Sequence, residues 1–314
     1  MTVRGDGARE RPIPVLLTGG TGLIGWELLH RMPRPWHVTV IRHRNTLPPL
    51  PKHRHIIDAD LTCRDQVRAA VEAVRPEVVV HTASLGSLDA CERDPDAAWR
   101  LNVDATRFLL ECARPFQPFV VFCSTIYVFD GRRPPYREDD PPHPINVYGR
   151  TKLAAEELAQ DLASDLMIVR PNTAYGWHLP GQRQNWVTWL LGRLRNGQAV
   201  QVVDDVINNY IWAGDVARAI IAGIVSRRTG LYHLGGPEAL SRYEFSLRIA
   251  STFGFSPDLI SPASSEMFPS LAPRPRDTTC TIDRMIGDLG VSPLDVHRGL
   301  LAMKAQMPEA SEAM

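Results

Sequence analysis

The sequence predicts an α/β fold in which a parallel sheet is covered on both faces by helices. Three observations predict it. Short apolar, β-branched runs alternate with segments of helical period through the first half of the chain. Those runs are short and unbroken, as strands buried on both faces should be. The first of them ends in a glycine-rich turn that opens a helix.

Residues 1–12 read as a flexible leader. "PVLLT" is the first buried strand, "GLIGWELLHRM" the first helix and "HVTVIRH" the second strand. "RDQVRAAVEAV" is a helix with an aspartate near its start, "PEVVVHTAS" a strongly β-branched strand, and "DPDAAWRLNVDATRFLLECA" a long helix. "FVVFCST" is the next strand, "YGRTKLAAEELAQDLA" the next helix and "LMIVRPN" a further strand. The second half is less regular. "NWVTWLLGRLRNG", "YIWAGDVARAIIAGIVS" and "SRYEFSLRIASTFG" read as helices, separated by short strands such as "AVQVV" and "GLYHLGG". The 26 prolines gather in stretches such as "RPPYREDDPPHP", which read as rigid connections.

The bulk properties exclude several classes of function. The 314 residues are 44% hydrophobic and 22% charged, the balance of a globular protein. A formal net charge of zero and a pI of about 7.2 give no field to recruit nucleic acid or an anionic membrane. No apolar run approaches the roughly 20 residues that span a bilayer. The opening residues lack the apolar core of a signal peptide. The five cysteines are scattered and form no CxxC pair, against zinc and against a disulfide framework, and in keeping with the cytoplasm. No metal is expected.

"TGGTGLIG" carries Gly19, Gly22 and Gly25 in a GxxGxxG pattern, with Leu23 and Ile24 between the last two. Glycines let the chain turn tightly and bring backbone N–H groups to a pyrophosphate at the helix N-terminus. The turn follows a buried strand and opens an amphipathic helix, the context a dinucleotide site requires. An acid at the end of the second strand would hold a ribose 2′-hydroxyl, and a base would accept a 2′-phosphate. The residues there are Arg42, His43 and Arg44, which favours NADP(H), with NAD(H) as the lesser cofactor. In "DADLT", Asp60 and Leu61 are placed for the adenine.

"NVYGRTK" sets Tyr148 and Lys152 four residues apart, on one face of a helix. The spacing alone fits an amphipathic helix as well as a proton donor beside a cation. The full set of motifs resembles the extended short-chain dehydrogenase/reductase superfamily, and most of all its dTDP-4-dehydrorhamnose reductase branch. The supporting stretches are "VLLTGGTGLIG", "HTASLGSLDACERDPDAAWRLNV", "CSTIYVFDGRRPPYREDDPPHPINVYGRTK", "RPNTAYG", "NYIWAGDVARAI" and "RPRDTTCTIDRM".

The resemblance implies a Rossmann, doubly wound parallel sheet with a smaller mixed α/β substrate-binding lobe. The Rossmann domain would span 13–173, with 211–235 returning to it, and the lobe 174–210 and 236–314. Thr125, Tyr148 and Lys152 match the catalytic set: Tyr148 would give a proton to a ketone oxygen, Lys152 would lower its pKa and hold the nicotinamide ribose, and Thr125 would hold the substrate oxygen. Thr82, Ala83 and Ser84 would line the cofactor side, and Asn102 would support the site. Asn172, Asn185, Arg183, Arg274 and Arg276 are the expected substrate contacts, and a homodimer through the helices containing Arg107 to Ala113 and Lys152 to Leu162 is the expected assembly.

Three departures bear on the substrate. Ile126 stands where dehydratases carry an acid, against water elimination, and where rhamnose-type reductases carry aspartate. Leu85 replaces a tyrosine. Asn208 replaces the arginine that grips a diphosphate in epimerases, and a neutral amide lacks its charge-assisted bonds. With Trp177, Trp186 and Trp212 nearby by analogy, these imply a more apolar substrate pocket. The leading expectation is an NAD(P)H-dependent ketoreductase of a dTDP-4-keto-6-deoxysugar or a similar metabolite. The alternatives are a reductase of a non-nucleotide natural product and a non-catalytic NADP-binding regulatory subunit.

Overall fold

The structure is a computed structural model that describes residues 12–50 and 53–307. Of the expected flexible leader, all but Pro12 lies outside the described residues. The first half winds six strands of a seven-stranded, all-parallel sheet, and a strand of the second half, β11 (Gly230–Leu234), completes it in the order β11-β6-β5-β4-β1-β2-β3. In chain order the strands of the first half are β1 (Pro14–Thr18), β2 (His37–Arg42), β3 (Arg54–Asp58), β4 (Val78–His81), β5 (Phe119–Cys123) and β6 (Asp165–Pro171). The helices of this half are α1 (Leu23–Arg31), α2 (Arg64–Val74), α3 (Leu88–Arg93), α4 (Pro95–Trp99), α5 (Ala105–Ala113) and α6 (Val147–Leu162).

The strand β3 has no place in the sequence reading. Its "RHIID" buries only Arg54 fully, so the apolar signal is weak. It forms because an edge strand needs one partner, and β2 supplies the ladder from Val38–Arg54 to Arg42–Asp58. The guanidinium of Arg54 is held by Trp36 O at 3.0 Å and Met32 O at 2.6 Å.

Successive strand residues feed opposite faces, as period two demands. Val15, Leu17, Val38, Val40, Val78, Val80, Phe119 and Val121 pack on one side. Leu16, Ile41, Val79, Val120, Phe122 and Ile168 pack on the other, under α2, α5 and α6. The first face is covered by α1 and by α8 (Ala213–Val225), which belongs to the second half. The chain then returns to the sheet as β11 (Gly230–Leu234), paired with β6.

The long helix expected over 94–113 is interrupted. α4 passes through a π-helical segment, Arg100–Asp104, into α5. The remaining elements build a smaller layer over the carboxyl edge of the sheet. They are β7 (Ala174–Tyr175), α7 (Trp186–Arg195), β8 (Val200–Val203), β9 (Ile207–Asn208), β10 (Ile211–Trp212), β12 (Leu240–Ser241), α9 (Arg242–Phe253), β13 (Ile260–Ala263) and α11 (Val296–Ala305), while α10 (Asp283–Gly287) packs beside β11 with Met285 in the core of the sheet. The strands pair as parallel β7·β10 and β8·β13 and antiparallel β9·β12. Val187, Leu190, Leu191, Phe245, Ile249, Val296 and Leu300 form the core of this layer. No helix among the described residues is long and apolar enough to cross a membrane.

Candidate active site

The sheet order reverses between β1 and β4, and in doubly wound sheets ligands bind outside the strand carboxyl ends at such a point. β1 ends here in the glycine turn. Gly19 has a φ of +72° and lies so close to the β4 loop that a Cβ would meet Ala83 N at 2.6 Å. A Cβ on Gly25 would strike Gly19 O. Only glycine fits either place, so the turn leaves open a cradle of backbone at the N-terminus of α1, where a dinucleotide pyrophosphate fits. The two strand ends are tied by a buried relay: Thr18 Oγ1 to His81 Nδ1 at 2.6 Å, and His81 Nε2 to Thr106 Oγ1 at 2.9 Å. Burial, and then the positive Lys152, push the His81 imidazole down to about 3, so it is neutral at ordinary pH.

Thr125 follows β5. Its Oγ1 accepts from Tyr127 N–H at 3.2 Å and starts a tight turn over Ile126–Val128. α6 comes against that turn through Gly149, where a Cβ would collide with Tyr127 O. Asn146 caps the helix by accepting from Gly149 N–H at 2.8 Å, and Glu92 Oε1 accepts from Val147 N–H at 2.7 Å. This docking brings Tyr148 and Thr125 together on the wall of one cleft, where the Thr125 side chain favours the ionised phenol. Lys152, one turn further, is 1% exposed, with its Nζ 4.2 Å from the Phe122 ring centroid. Asn102, on the π-helical segment, accepts from Leu85 N–H at 2.7 Å and donates to Thr151 Oγ1 at 2.9 Å. It joins the β4 loop to α6, which suits the supporting part expected of it.

The expected tuning of Tyr148 needs correction. Burial raises the phenol above its ordinary value, Cys123 adds to this, and the Thr125 hydrogen bond opposes it only in part. Lys152 is itself pushed down by burial to about 8, and no lowering of Tyr148 by its charge is resolved. Desolvation disfavours both charged forms and outweighs the nearby ammonium.

The cofactor-selecting residues are less free than the sequence suggests. Arg42 Nε and Nη2 donate to Asp58 at 2.6 and 2.8 Å, a bidentate pair across β2 and β3. His43 Nε2 lies 3.5 Å from Asp60 Oδ2, while Arg44 is exposed. Asp60 also accepts from Thr62 N–H and Oγ1. Leu61 is 7% exposed and packs in the core with Ile41 and Val67. Asp58 was missed because β3 itself was missed.

A cleft of about 680 Å³ runs from the glycine turn to the smaller layer. Gly19, Gly22, Leu23, Ile24, Gly25, Thr82, Ser84, Thr125 and Tyr148 line one side, and Asn172, Arg183, Asn185, Trp186 and Arg274 are among those lining the other. Ala83 lies behind this wall, its N–H donating to Thr18 Oγ1 at 3.3 Å. Several side chains are already bonded. Asn172 Nδ2 donates to Thr278 O, Asn185 caps α7 and donates to Gly176 O, Arg183 donates to Gly86 O, and Arg274 pairs with Asp89 at 2.8 Å.

Other expected substrate contacts do not face the cleft. Ile126 is fully buried with Val128, Phe129 and Tyr136. Asn208 is 1% exposed, accepting from Thr173 Oγ1 and Thr278 Oγ1. Arg276 lies on the surface beside Glu266, and Leu85 packs with Cys91 and Val147. Trp177 donates to Met303 O, and Trp212 is buried in the core of the smaller layer. A residue type is legible in sequence; the direction of its side chain is set by packing. The cleft instead gains Ser124, His178, Trp189 and Arg242, none of which carries a spacing signal.

Known proteins are similar to this chain in architecture and in sequence. The model of the RmlD substrate binding domain matches residues 13–307. A probable dTDP-4,6-dihydroxy-2-methyloxan-3-one 4-ketoreductase of Streptomyces antibioticus is 32% identical over 291 residues, covering 91% of this chain and 92% of that one. The methionine adenosyltransferase 2 subunit beta of Pongo abelii is 30% identical over 273 residues, covering 84% and 78%. The crystal structure of dTDP-4-dehydrorhamnose reductase from Bacillus anthracis in complex with NADP superposes with a TM-score of 0.84 at 25% identity, covering 94% of this chain and 100% of that one. The chain belongs to the dTDP-4-dehydrorhamnose reductase-like branch of the extended short-chain dehydrogenases/reductases, a branch of NAD(P)-dependent oxidoreductases.

Proposed function

We propose that the protein is an NADPH-dependent ketoreductase whose substrate is a nucleotide-linked 4-keto-6-deoxysugar. The observation that carries this is the meeting of three groups in one cleft: the backbone cradle of Gly19, Gly22 and Gly25, the Thr125 hydroxyl, and the Tyr148 phenol. When bound, the nicotinamide cofactor supplies the hydride. The residues of the chain do the rest. Thr125 orients the carbonyl oxygen. Tyr148, kept protonated by its surroundings, holds the proton that the oxygen receives as charge develops on it. Lys152, one turn further along α6, is cationic below about pH 8 and is placed to hold the nicotinamide ribose. Arg44, exposed beside Arg42, is the freer partner for a 2′-phosphate, and Arg42 reaches one by sharing its bonds with Asp58. The proposal carries with it a cytoplasmic location and a two-fold dimer.

The Streptomyces antibioticus relative, a probable 4-ketoreductase of a dTDP-linked ketone, supports a dTDP-linked substrate. The apolar-pocket argument for a non-nucleotide ketone loses its support, since Ile126 and Asn208 do not face the cleft. A second reading, a regulatory subunit, rests on the methionine adenosyltransferase relative. Mixing the protein with NADPH and a panel of dTDP-4-ketosugars separates the two. Consumption of NADPH with one of them is the expected result. No consumption across the panel, with NADPH still bound, would favour the regulatory reading.

A further inference from the structure

The substrate half of the cleft contains a cation with incomplete bonding. Arg242 is the first residue of α9, and its N–H donates to Val206 O at 3.0 Å. Its guanidinium lies over the Trp186 ring, 5.0 Å from the centroid, and against the Tyr210 hydroxyl. Its Nε is buried with no partner. Of the other arginines of the cleft, Arg274 is paired with Asp89, and Arg183 is exposed and gives one N–H to Gly86 O. Arg54 Nε and Arg170 Nη1 are also unpartnered, but those residues do not line the cleft.

A buried donor left unbonded costs on the order of 1–3 kcal/mol, more on a charged group, so a guanidinium that lines the cleft with its Nε buried and unbonded is short of an acceptor. Trp186 fixes the plane of that edge. Its Nε1 donates to Ser246 Oγ at 2.9 Å, and its ring stacks on Trp189 with centroids 4.8 Å apart. Two more buried polar atoms without partners, Ser124 Oγ and His178 Nδ1, belong to residues of the same cleft. At the head of α9 the capping box bonds the N–H groups of Ser241 and Glu244, and the Arg242 N–H is taken by Val206 O.

We propose that Arg242 anchors the anionic linker of the substrate, the diphosphate between sugar and nucleoside, and so selects nucleotide-linked ketones over free ones. The proposal rests on the reading of the substrate as a nucleotide-linked ketosugar. A guanidinium stacked on an indole presents two N–H groups in one plane, the geometry that suits phosphate oxygens.

The test is calorimetric titration of NADP+-saturated protein with dTDP, UDP and inorganic pyrophosphate, for the native chain, Arg242→Gln and Arg242→Lys. The native chain should bind dTDP or UDP. Arg242→Gln should lose about tenfold to a hundredfold in that affinity and Arg242→Lys less, with melting temperature and NADP+ affinity unchanged. Arg242→Gln binding the nucleotide as tightly as the native chain overturns the proposal and leaves the ketosugar reading standing. Arg242-dependent binding of pyrophosphate without binding of either nucleotide keeps the anion anchor and removes the nucleotide part of that reading. Binding of none of the three overturns both.

Discussion

At the scale of single residues, the chemistry depends on protonation states that burial sets. Tyr148 sits between Thr125, which favours its ionised form, and an apolar surround that disfavours it, and the surround prevails. A phenol held protonated is suited to giving a proton to a ketone. Tyr148→Phe is therefore expected to lower turnover by about a hundredfold to ten-thousandfold while leaving NADPH affinity within about twofold. Stopped-flow reduction and fluorescence titration of NADPH measure the two effects, and a variant that retained turnover would remove Tyr148 as the acid. Arg42 poses a second residue-level question, because its bonds are already given to Asp58. If Arg42 shares them with a 2′-phosphate, Arg42→Ala should shift the ratio of kcat/KM for NADPH over NADH by about tenfold toward NADH. An unchanged ratio would assign the preference to Arg44 alone.

At the scale of elements, α6 is the part that must not move, since it carries both Tyr148 and Lys152. Its first turn is fixed by Asn146, Glu92 and the close approach at Gly149. Its middle is fixed by Glu156, which receives Arg170 of β6 in a bidentate pair at 2.9 and 2.6 Å. Both side chains of this pair are under 5% exposed, at 4% and 3%. Removing one partner leaves an uncompensated charge in the core. Glu156→Ala should thus destabilise the fold by about 3–5 kcal/mol, read as a lower urea midpoint. A loss under about 1 kcal/mol would mean that Arg170 finds water or another acceptor. The π-helical segment has a related purpose: it re-aims Asn102 so that one side chain bonds both Leu85 and Thr151.

At the scale of the whole molecule, the fold buries two neutral histidines. Burial pushes His81 and His233 each down to about 3 from 6.5, helped by Lys152 and Arg170 respectively. Neither ring nitrogen of His233 has a close hydrogen-bond partner, and the backbone of Tyr136 opposes the shift only in part. The folded-state values lie below the unfolded ones, so the unfolded chain binds protons that the folded chain refuses. Stability is full above about pH 6.5 and falls as the pH drops toward about 3, by about 1.4 kcal/mol per pH unit for each histidine. Urea midpoints should fall steadily from about pH 6.5 to about pH 4, apart from carboxylate effects at the acid end. His233→Phe should flatten the part of this slope due to His233, and an unaltered slope would show that His233 titrates as it does in the unfolded chain.

What the sequence determined by itself was whatever periodicity and short-range geometry specify. Unbroken β-branched runs gave β1, β2, β4, β5 and β6, and the glycine spacing marked the turn at the head of α1. The four-residue interval put Tyr148 and Lys152 on one face of α6. The strand β3 was not legible, since its stability comes from a neighbour in the ladder and not from its own apolar content. Nor was the substrate wall, because Ile126 turns into a cluster with Val128, Phe129 and Tyr136, and whether Asn208 or Arg242 meets the cleft depends on how the smaller layer packs over the sheet. Tertiary structure alone decided which charges are already paired, as with Arg42 and Asp58 or Arg274 and Asp89, because those partners are distant in the chain and meet only when the elements dock. The sequence therefore determined the reaction type that the site suits, and the packing of the smaller layer decided which groups of a substrate it can meet.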